Sequence, residues 1–331
     1  MSQVRVGLLG CGGFMRSHAM RLGENPDARV VALCDVSEPQ VRKFASESGL
    51  ADPAPPVSLF TDPARMYAEA KLDAVFIATP HTMHYQHVAE ALDAGLHVYV
   101  EKPMVTSSPD AYRLKEKVQH AGRILVIGYN TPCSPEFTYL RGAIQDRTHG
   151  TLEMVCGYLS QGWLKATKGL WRQEPELSGG GQAYDSGAHL LNSLCWSVQA
   201  SVSEVFALLD NHGTAVDINS VMSIRFANGV LASIGISGNS PGAGRFMTFI
   251  FDRGRIDIDG WGGTWIHVFG EDGQQIKYPP ITGKTQTPDD NFIDAILGRA
   301  EPRTNVDDGI IQSELMDAIY ESARTGTVAR R

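Results

Sequence analysis

The first 128 residues alternate short apolar runs with segments of helical periodicity, and this alternation limits the fold more than any other feature. Each run ends at a glycine or a polar residue, as a short buried strand does. Connections of helical length imply right-handed crossovers and parallel pairing, with helices covering both faces of the sheet. We predict an α/β Rossmann domain with a doubly wound parallel sheet over residues 1–128. Its six strands are predicted at residues 4–9, 29–34, 57–60, 73–78, 97–100 and 124–127.

After Gly128 the pattern changes, without a linker-like tract between the two parts. Helices are predicted over residues 135–144 and 184–196, with a long irregular stretch between them. Alternating segments with glycine-rich turns then predict a large, mainly antiparallel open sheet in a second, α+β domain over residues 129–331. Those segments are residues 202–209, 219–226, 230–237, 246–251, 255–258 and 265–269. Closing helices are predicted over residues 289–297 and 306–324, and we consider that the C-terminal helix packs back on the first domain.

Composition limits the class of protein. The 331 residues exceed one ordinary core and fit two domains. A net charge of −8, from 29 basic and 37 acidic residues, argues against a dedicated nucleic-acid binder and a polybasic membrane surface. No apolar stretch is long enough for a signal peptide or a membrane span, so we expect a soluble, cytoplasmic protein. Five widely spaced cysteines without a C-x-x-C motif argue against a disulfide framework and a cysteine zinc site.

The first predicted strand runs into the sequence Gly-Cys-Gly-Gly-Phe-Met at residues 10–15 and then into a helix. Gly10 permits a tight turn, Gly12 lets a pyrophosphate approach the backbone, and the helix N-terminus offers N–H groups. Met15 takes the place of the third glycine in the G-x-G-x-x-G pattern. Asp35 ends the second strand, where a carboxylate can bind the ribose 2′-hydroxyl of NAD. No arginine follows it to receive a 2′-phosphate, so NAD is favoured over NADP; the alternative is a glycine-rich turn with a helix-capping acid.

Two more polar clusters follow predicted strands. Thr79 and Pro80 end the fourth strand, and Glu101, Lys102 and Pro103 end the fifth. Ligands of open α/β sheets bind at this edge. A lysine between an acid and a proline at this edge can hydrogen-bond a reacting hydroxyl, and the alternative is a lysine at a loop entrance.

Asp185 and His189 lie four residues apart in the sequence GGGQAYDSGAH. On a helix this spacing places both side chains on one face, where a carboxylate beside an imidazole favours a general base near neutral pH. The glycines at 179–181 predict a flexible entry to that helix. The alternative is a helix-starting aspartate and an ordinary polar histidine.

Other side chains have weaker patterns. Three histidines recur at intervals of three near the start of a predicted helix: His81, His84 and His87. They have no carboxylate partner in the sequence nearby, so we expect no metal site. Trp163, Trp171 and Tyr184 either form a stacking surface for a sugar ring or fill the core.

Together these residues resemble the Gfo/Idh/MocA family, which includes glucose–fructose oxidoreductase and inositol dehydrogenase. The resemblance covers nearly the whole chain. It begins at GCGGFMRSH, where Arg16 and His18 also fit, and continues through ATPHTMH. Its most specific stretch is AGLHVYVEKP, and GGGQAYDSGAH and residues 291–326 fit as well.

The resemblance implies an N-terminal Rossmann domain and a C-terminal domain that binds substrate and whose open sheet often forms the oligomer interface, so a homodimer or homotetramer is expected. It implies NAD(P)-dependent hydride transfer between the nicotinamide and a sugar, an inositol or a related polyol. Lys102 matches the lysine of the EKP motif, and Asp185 and His189 match the catalytic acid and histidine of the family. We therefore expect His189 to take the hydroxyl proton, Lys102 to donate to the oxygen, and Asp185 to orient the pair.

The site residues follow from the same match. Residues predicted to bind NAD are Gly10, Gly12, Gly13, Phe14, Met15, Asp35, Thr79, Pro80, His84, Glu101 and Lys102. Residues predicted to contact substrate are Lys102, Tyr129, Asn130, Trp163, Trp171, Arg172, Tyr184, Asp185 and His189. Two positions depart from the family near the expected substrate: His81 stands where asparagine is usual, and Asn192 where aspartate is usual.

Two alternative functions remain open. Some members of the family are redox-neutral glycosidases, which oxidise a sugar hydroxyl transiently, eliminate the aglycone and re-reduce with the same NAD. The irregular stretch 159–181, with two tryptophans, Lys165 and Lys168, suits a larger substrate of this kind. The other alternative is a non-catalytic NAD-binding sensor, against which the intact Lys102, Asp185 and His189 argue.

Overall fold

The structure is a computed structural model, and it describes residues 3–50, 56–242 and 244–331. Residues 1, 2, 51–55 and 243 of the two predicted domains lie outside the described residues. The chain divides into two compact units. The first contains the residues up to 105, then 109–128 and 287–309; the second contains 106–108, 129–286 and 310–331. The sequence predicts one division, after residue 128. In the structure residues 287–309 also belong to the first unit.

The first unit is built on a parallel sheet. Its strands are β1 Val4–Leu9, β2 Ala28–Cys34, β3 Ser58–Phe60, β4 Ala74–Ile77, β5 His97–Val100 and β6 Leu125–Ile127. All neighbouring strands are parallel, in the order β3-β2-β1-β4-β5-β6. The predicted doubly wound parallel sheet is confirmed. Its strand order reverses between β1 and β4, which is the switch point where such sheets bind ligands.

Helices alternate with these strands. They are α1 Met15–Glu24, α2 Glu38–Glu47, α3 Pro63–Glu69, α4 His84–Asp93 and α5 Ser108–Ala121. Ser37 caps α2, because its hydroxyl accepts the N–H of Gln40 at 3.3 Å. In the core the rings of Phe76 and Tyr99 stack at 4.4 Å, and Phe292 from the returning segment packs edge-on against Phe76.

The second unit is built on a nine-stranded sheet. Its strands are β7 Leu152–Ser160, β8 Val202–Asp210, β9 Asn219–Phe226, β10 Leu231–Ser237, β11 Gly244–Phe251, β12 Gly254–Ile258, β13 Ile266–Phe269, β14 Gln275–Ile276 and β15 Ala329–Arg330. The order is β14-β13-β12-β11-β7-β10-β9-β8-β15. Every pair is antiparallel except β10 with β7, so the predicted mainly antiparallel sheet is confirmed.

The sequence missed β7, because the irregular stretch was predicted to begin directly after the helix that ends at residue 144. The strand lies in the middle of the sheet, between β10 and β11. Val155 and Leu159 face the core, but the intervening residues do not alternate strictly between buried and exposed. A central strand is held by pairing on both edges, so it does not need the alternation that a sequence search relies on.

The remaining helices are α6 Pro135–Gln145, α7 Trp163–Ala166, α8 Pro175–Ser178, α9 Gly187–Val198, α10 Pro288–Ile296 and α11 Val306–Thr325. Side chains of α6, α9 and α11 join the sheet in one apolar core. Every residue of α9 is buried, as expected of a helix surrounded by other elements. This helix begins at Gly187, three residues later than predicted, because residues 182–186 form a turn.

The sequence predicts no membrane-spanning helix, no metal site and no disulfide framework. Within the described ranges no helix is both long and apolar enough to cross a membrane. Over the same residues no group of three or more His, Cys, Asp or Glu side chains converges as a metal site would require. The five cysteines all lie within the described residues, and none of them forms a disulfide.

Candidate functional site

The glycine turn after β1 has the geometry that a pyrophosphate needs. Gly10 has φ +89°, and a Cβ atom there would lie 2.7 Å from the carbonyl oxygen of Ala78, so only glycine fits. Cβ atoms added to Gly12 or Gly13 would meet nothing within 4 Å, which leaves this side of the turn open. No side chain caps the N-terminus of α1, which follows directly. Open glycines beside uncapped N–H groups fit an anionic group such as the pyrophosphate of NAD.

Asp35 follows β2 and is held by the backbone. Its Oδ2 accepts the N–H of Cys11 at 2.9 Å, and its Oδ1 accepts the N–H of Ser37 at 3.0 Å. The next residue, Val36, is exposed and brings no positive charge. A carboxylate in this position suits a ribose diol and repels a 2′-phosphate, so the residues present fit NAD.

Met15 and Phe14 complete the turn in different ways. The Met15 side chain is fully buried in the core of the first unit, where it fills the contact that a third glycine would leave open. Only its backbone therefore remains available to a ligand. Phe14 is half exposed beside the open glycines.

The residues after β4 and β5 are joined by histidines. The ring nitrogens of His84 lie 2.7 Å from the carbonyl oxygen of Pro103 and 2.9 Å from that of Thr79. Burial lowers the pKa of His84, so the neutral ring can donate to only one of these carbonyls. His87 Nδ1 lies 2.9 Å from the hydroxyl oxygen of Thr79. These two histidines therefore organise the loops, and Lys102, which directly precedes Pro103, is buried.

Glu101 belongs to a buried charge network that the sequence did not predict. His18 Nε2 lies 3.0 Å from Glu101 Oε1, and His18 Nδ1 lies 2.7 Å from Asp289 Oδ1. Burial opposes protonation of His18, but the hydrogen bonds and charges of the two acids outweigh it and raise its pKa to about 9. Nε of Arg21 lies 3.0 Å from the second oxygen of Asp289. The only sequence signal was the fit of His18 to a family motif, because Asp289 lies 271 residues away.

In the second unit, Asp185 lies in the turn before α9 and not on the helix. The prediction that Asp185 and His189 share one face of a helix is therefore wrong in its geometry. Asp185 Oδ2 accepts the indole N–H of Trp163 at 2.7 Å and the Nε–H of Arg172 at 3.0 Å. The Arg172 guanidinium also lies 4.5 Å from the ring centre of Trp171. The carboxylate is thus fixed by two donors that the sequence placed among substrate contacts.

His189 lies on α9 and is buried among aromatic side chains. Its imidazole stacks on the indole of Trp261 and meets the ring of Tyr129 edge-on. Asn192 is also buried, and its amide donates to the side-chain oxygen of Gln312 at 3.3 Å. Trp261 carried no sequence signal, because it lies in a loop of the distant sheet.

The triple glycine before this region is packed tightly, so the predicted flexible entry is wrong. A Cβ on Gly181 would lie 1.9 Å from the carbonyl oxygen of Asp217, and one on Gly180 would lie 2.3 Å from the Tyr320 hydroxyl. The Asp217 carboxylate accepts the N–H groups of Gly181 at 2.7 Å and Ala183 at 2.9 Å. These glycines are needed for close approach of the backbone.

The other predicted substrate residues divide by burial. Trp163 and Tyr184 are buried, and the Tyr184 hydroxyl donates to the carbonyl oxygen of Thr106 at 2.8 Å. Burial also raises the pKa of Tyr184 far above its usual range. Asn130 is exposed, and Trp171 is half-buried. Trp163 and Tyr184 are therefore enclosed within the second unit, whereas Asn130 and Trp171 present surface, and contact of any of them with substrate stays a prediction.

Comparison with known proteins gives consistent relatives. D-glucoside 3-dehydrogenase of Escherichia coli is 25% identical over an alignment that covers 98% of this chain and 97% of that enzyme. Myo-inositol 2-dehydrogenase of Thermotoga maritima is 26% identical, with 82% of this chain and 80% of the enzyme covered. The structure of WlbA dehydrogenase from Bordetella pertussis, solved with NADH and UDP-GlcNAcA, superposes with a TM-score of 0.84 at 24% identity over 99% of both chains.

Two family models match consecutive parts of the chain. Residues 4–129 match the NAD-binding Rossmann fold of the Gfo/Idh/MocA oxidoreductase family. Residues 137–274 match the C-terminal domain of the same family. The chain is therefore an oxidoreductase with an NAD-binding Rossmann domain, and it belongs to the Gfo/Idh/MocA family.

Proposed function

We propose that this protein is an NAD-dependent dehydrogenase that oxidises a hydroxyl of a sugar, an inositol or a related polyol, or reduces the corresponding ketone. Lys102 carries the proposal, because this residue is only 8% exposed and follows β5 at the carboxyl edge of a doubly wound sheet. Open α/β sheets bind their ligands at that edge, so a buried lysine there is placed to meet a reacting group. The glucoside and inositol dehydrogenases among the relatives support the substrate class.

NAD binding is proposed to rest on the glycine turn and Asp35. Gly10, Gly12 and Gly13 would receive the pyrophosphate together with the N-terminal N–H groups of α1, and Asp35 would accept the ribose hydroxyls. Bound NAD supplies the hydride acceptor, or the donor in the reverse direction. The other predicted contacts stay predictions: Phe14, Met15, Thr79, Pro80, His84, Glu101 and Lys102.

Three side chains are proposed to act on the substrate hydroxyl. The Lys102 ammonium donates to the hydroxyl oxygen and stabilises the negative charge that develops there. His189 accepts the hydroxyl proton as general base and returns it when the ketone is reduced. Asp185, fixed by Trp163 and Arg172, orients this pair.

A screen of NAD reduction over sugars, inositols and sugar acids tests the substrate class. We expect NADH to form with compounds of at least one of these classes. If no compound of any class yields NADH while the protein still binds NAD, the dehydrogenase proposal fails.

Lys102→Ala tests the assigned chemistry. We expect kcat to fall by at least about 10²-fold, the usual loss when a donor to a developing oxyanion is removed. The variant should still bind NAD, measured by fluorescence titration, because the glycine turn and Asp35 are unchanged. Lys117→Ala is the matched control, because Lys117 is a lysine of α5 that pairs with Asp93 at 2.7 Å. Unchanged turnover in Lys102→Ala would remove this residue from the mechanism.

A redox-neutral glycosidase is the second candidate. Two observations favour it: Lys165 and Lys168 are exposed in the same stretch of chain as the half-buried Trp171, and one relative is named a D-glucoside 3-dehydrogenase. A glycoside panel without added cofactor separates the two reactions. Release of the aglycone without net NADH favours the glycosidase, and NADH formation only with added NAD favours the dehydrogenase.

We also propose that the protein forms a homodimer or homotetramer through the outer face of the second sheet. Tyr158, Val221 and Leu208 are about half exposed, and strand register aligns them in one row across β7, β10, β9 and β8. A contiguous apolar face of this kind usually marks an interface. Val221→Lys should produce a monomer by light scattering, and an unchanged mass would contradict this interface.

A further inference from the structure

The imidazole of His189 contacts two aromatic rings from other parts of the second unit. It stacks on the indole of Trp261, with ring centres 4.1 Å apart and 20° between the planes. Tyr129 meets it edge-on, with ring centres 5.8 Å apart and planes at 88°. A face contact with one ring and an edge contact with another restrict the torsion that aims the ring nitrogens of histidine.

The loop that carries Trp261 connects β12 to β13 and is organised by a buried carboxylate. Asp259 is 1% exposed. Its Oδ2 accepts two hydrogen bonds from Thr264, one from the backbone N–H at 3.1 Å and one from the side-chain hydroxyl at 2.7 Å. Its Oδ1 accepts the N–H of Trp261 at 3.3 Å and the Nε–H of Arg245 at 2.6 Å. Burial opposes ionisation, but the hydrogen bonds from Thr264 and Arg245 lower the pKa of Asp259. The loop is therefore held around a charged residue at neutral pH.

The same loop is fastened to α9 beside His189. The Ser193 hydroxyl lies 3.0 Å from the carbonyl oxygen of His189 and 2.8 Å from that of Gly260. The Thr131 hydroxyl lies 2.8 Å from the carbonyl oxygen of Trp261 and 2.7 Å from the Ser193 hydroxyl. The indole is thus placed by contacts that do not involve the imidazole ring itself.

We propose that Trp261 is a positioning residue for His189, whose indole holds the imidazole plane in the orientation that proton transfer requires. The inference rests on the proposed function, in which His189 is the general base. Stacking acts on the imidazole whether or not it is protonated, so the indole restricts the direction of the ring in both states. Misplacing a catalytic group by about 1 Å can cost about 10²-fold in rate. An indole that keeps the imidazole in place therefore raises the rate of proton transfer.

Three variants separate planarity from apolar bulk. Trp261→Phe keeps a planar ring, and Trp261→Leu removes it while staying apolar. Trp265→Leu is the matched control, because this indole of the same hairpin stacks on Phe246 with ring centres 6.0 Å apart. The kcat, the KM, the NAD affinity and the Tm are measured for each, beside His189→Ala. If Trp261→Leu does not fold, Trp261→Met replaces it.

We expect Trp261→Leu to lower kcat by about 10- to 100-fold. KM and NAD affinity should stay within about twofold, because positioning acts on the transition state and not on uniform binding. Trp261→Phe should recover most of kcat, and Trp265→Leu should keep all of it. Unchanged kcat in Trp261→Leu, or equal losses in the leucine and phenylalanine variants, would overturn the proposal. A rise in KM at constant kcat would also overturn it, since the indole would then touch substrate.

The ring orientation is measured directly by NMR of protein labelled at histidine. The His189 signal is identified by its loss in His189→Ala, and the indole ring current should shift it upfield. In Trp261→Leu we expect the signal to move downfield and broaden. If His189→Ala keeps full turnover, the proposed function fails, and the NMR signal alone then decides the positioning claim. A narrow, unshifted signal in Trp261→Leu contradicts that claim.

Discussion

Each unit buries a histidine, His18 in the first and His189 in the second, and the two are fixed in opposite ways. His18 contacts the carboxylates of Glu101 and Asp289, at 3.0 and 2.7 Å, and despite its burial these acids raise its pKa to about 9. His189 packs against the indole of Trp261 and the ring of Tyr129, contacts whose geometry does not depend on charge. Contact with two carboxylates keeps His18 cationic at neutral pH, whereas contact with two rings restricts the orientation of His189.

The neighbours of the two histidines, charged for His18 and aromatic for His189, indicate different roles. A group whose pKa is about 9 stays protonated at neutral pH, so His18 has no capacity to accept a proton there. Its cation instead compensates two buried acids, one of which precedes Lys102 in the chain. Burial is common to both histidines, so the neighbouring groups, and not burial, indicate the role.

The largest expected effect comes from His189→Ala. We expect kcat to fall by about 10²- to 10⁴-fold, the usual contribution of general base catalysis. NAD affinity should be retained, because the glycine turn and Asp35 are unchanged. Steady-state NAD reduction and a fluorescence titration measure the two quantities. A kcat within about threefold of the wild type would contradict the role of this histidine.

Removing the cation of the first unit should instead destabilise the fold. His18→Leu is expected to lower the free energy of unfolding by about 3–5 kcal/mol, because it leaves Glu101 and Asp289 buried without their shared partner. Urea unfolding measures the change. His120→Leu on the exposed face of α5 is the control and should stay within about 0.5 kcal/mol of the wild type. An equally small change in His18→Leu would show that the network contributes nothing.

The contacts of His18 with two carboxylates also predict that the stability of the fold depends on pH, which the ring contacts of His189 do not predict. The pKa of His18 is about 9 in the folded protein and 6.5 without these contacts. Its stabilisation is therefore complete below pH 6.5 and is lost as the pH rises through 9, a change of about 3 kcal/mol. Urea unfolding across this range should show the loss in the wild type and not in His18→Leu. Identical dependence of the unfolding free energy on pH in the two proteins would contradict the stabilising charge of His18.

The smallest effect is expected from Ser193→Ala. The hydroxyl links the backbone of α9 to the loop of Trp261, so its loss should cost about 1–2 kcal/mol of stability. We expect kcat to fall less than in Trp261→Leu, because the indole itself remains. Ser203→Ala is the control, because this serine of β8 donates its hydroxyl to the carbonyl oxygen of Arg225 on β9 at 3.0 Å. A stability loss as large as that of His18→Leu would contradict this ranking.

The sequence predicted the sheets well because most strands are local patterns. In the first unit β4 is a continuous buried run, and in the second unit β9 alternates between buried and more exposed residues. The strand β7 was missed because Glu153 and Gly157 interrupt its apolar character. Pairing with β10 and β11 holds it in place, and that pairing joins segments distant in sequence.

The candidate site likewise combines residues that local motifs predict with neighbours that only tertiary packing brings close. Motifs identified Lys102, Asp185 and His189, but the groups that surround them come from far along the chain. Trp261 lies 72 residues after His189, and Asp289 lies 271 residues after His18. Such contacts depend on tertiary packing and leave no periodic signal in the sequence. Even the four-residue spacing of Asp185 and His189 was misleading, because a turn precedes the helix.

In the proposed mechanism His189 accepts the substrate proton in an NAD-dependent oxidation. Single-turnover NADH formation by NAD-loaded His189→Ala, with and without added imidazole, tests this role. We expect a slow reaction that added imidazole accelerates, because a free base replaces the missing side chain. NADH formation at the wild-type rate, without any response to imidazole, would contradict it.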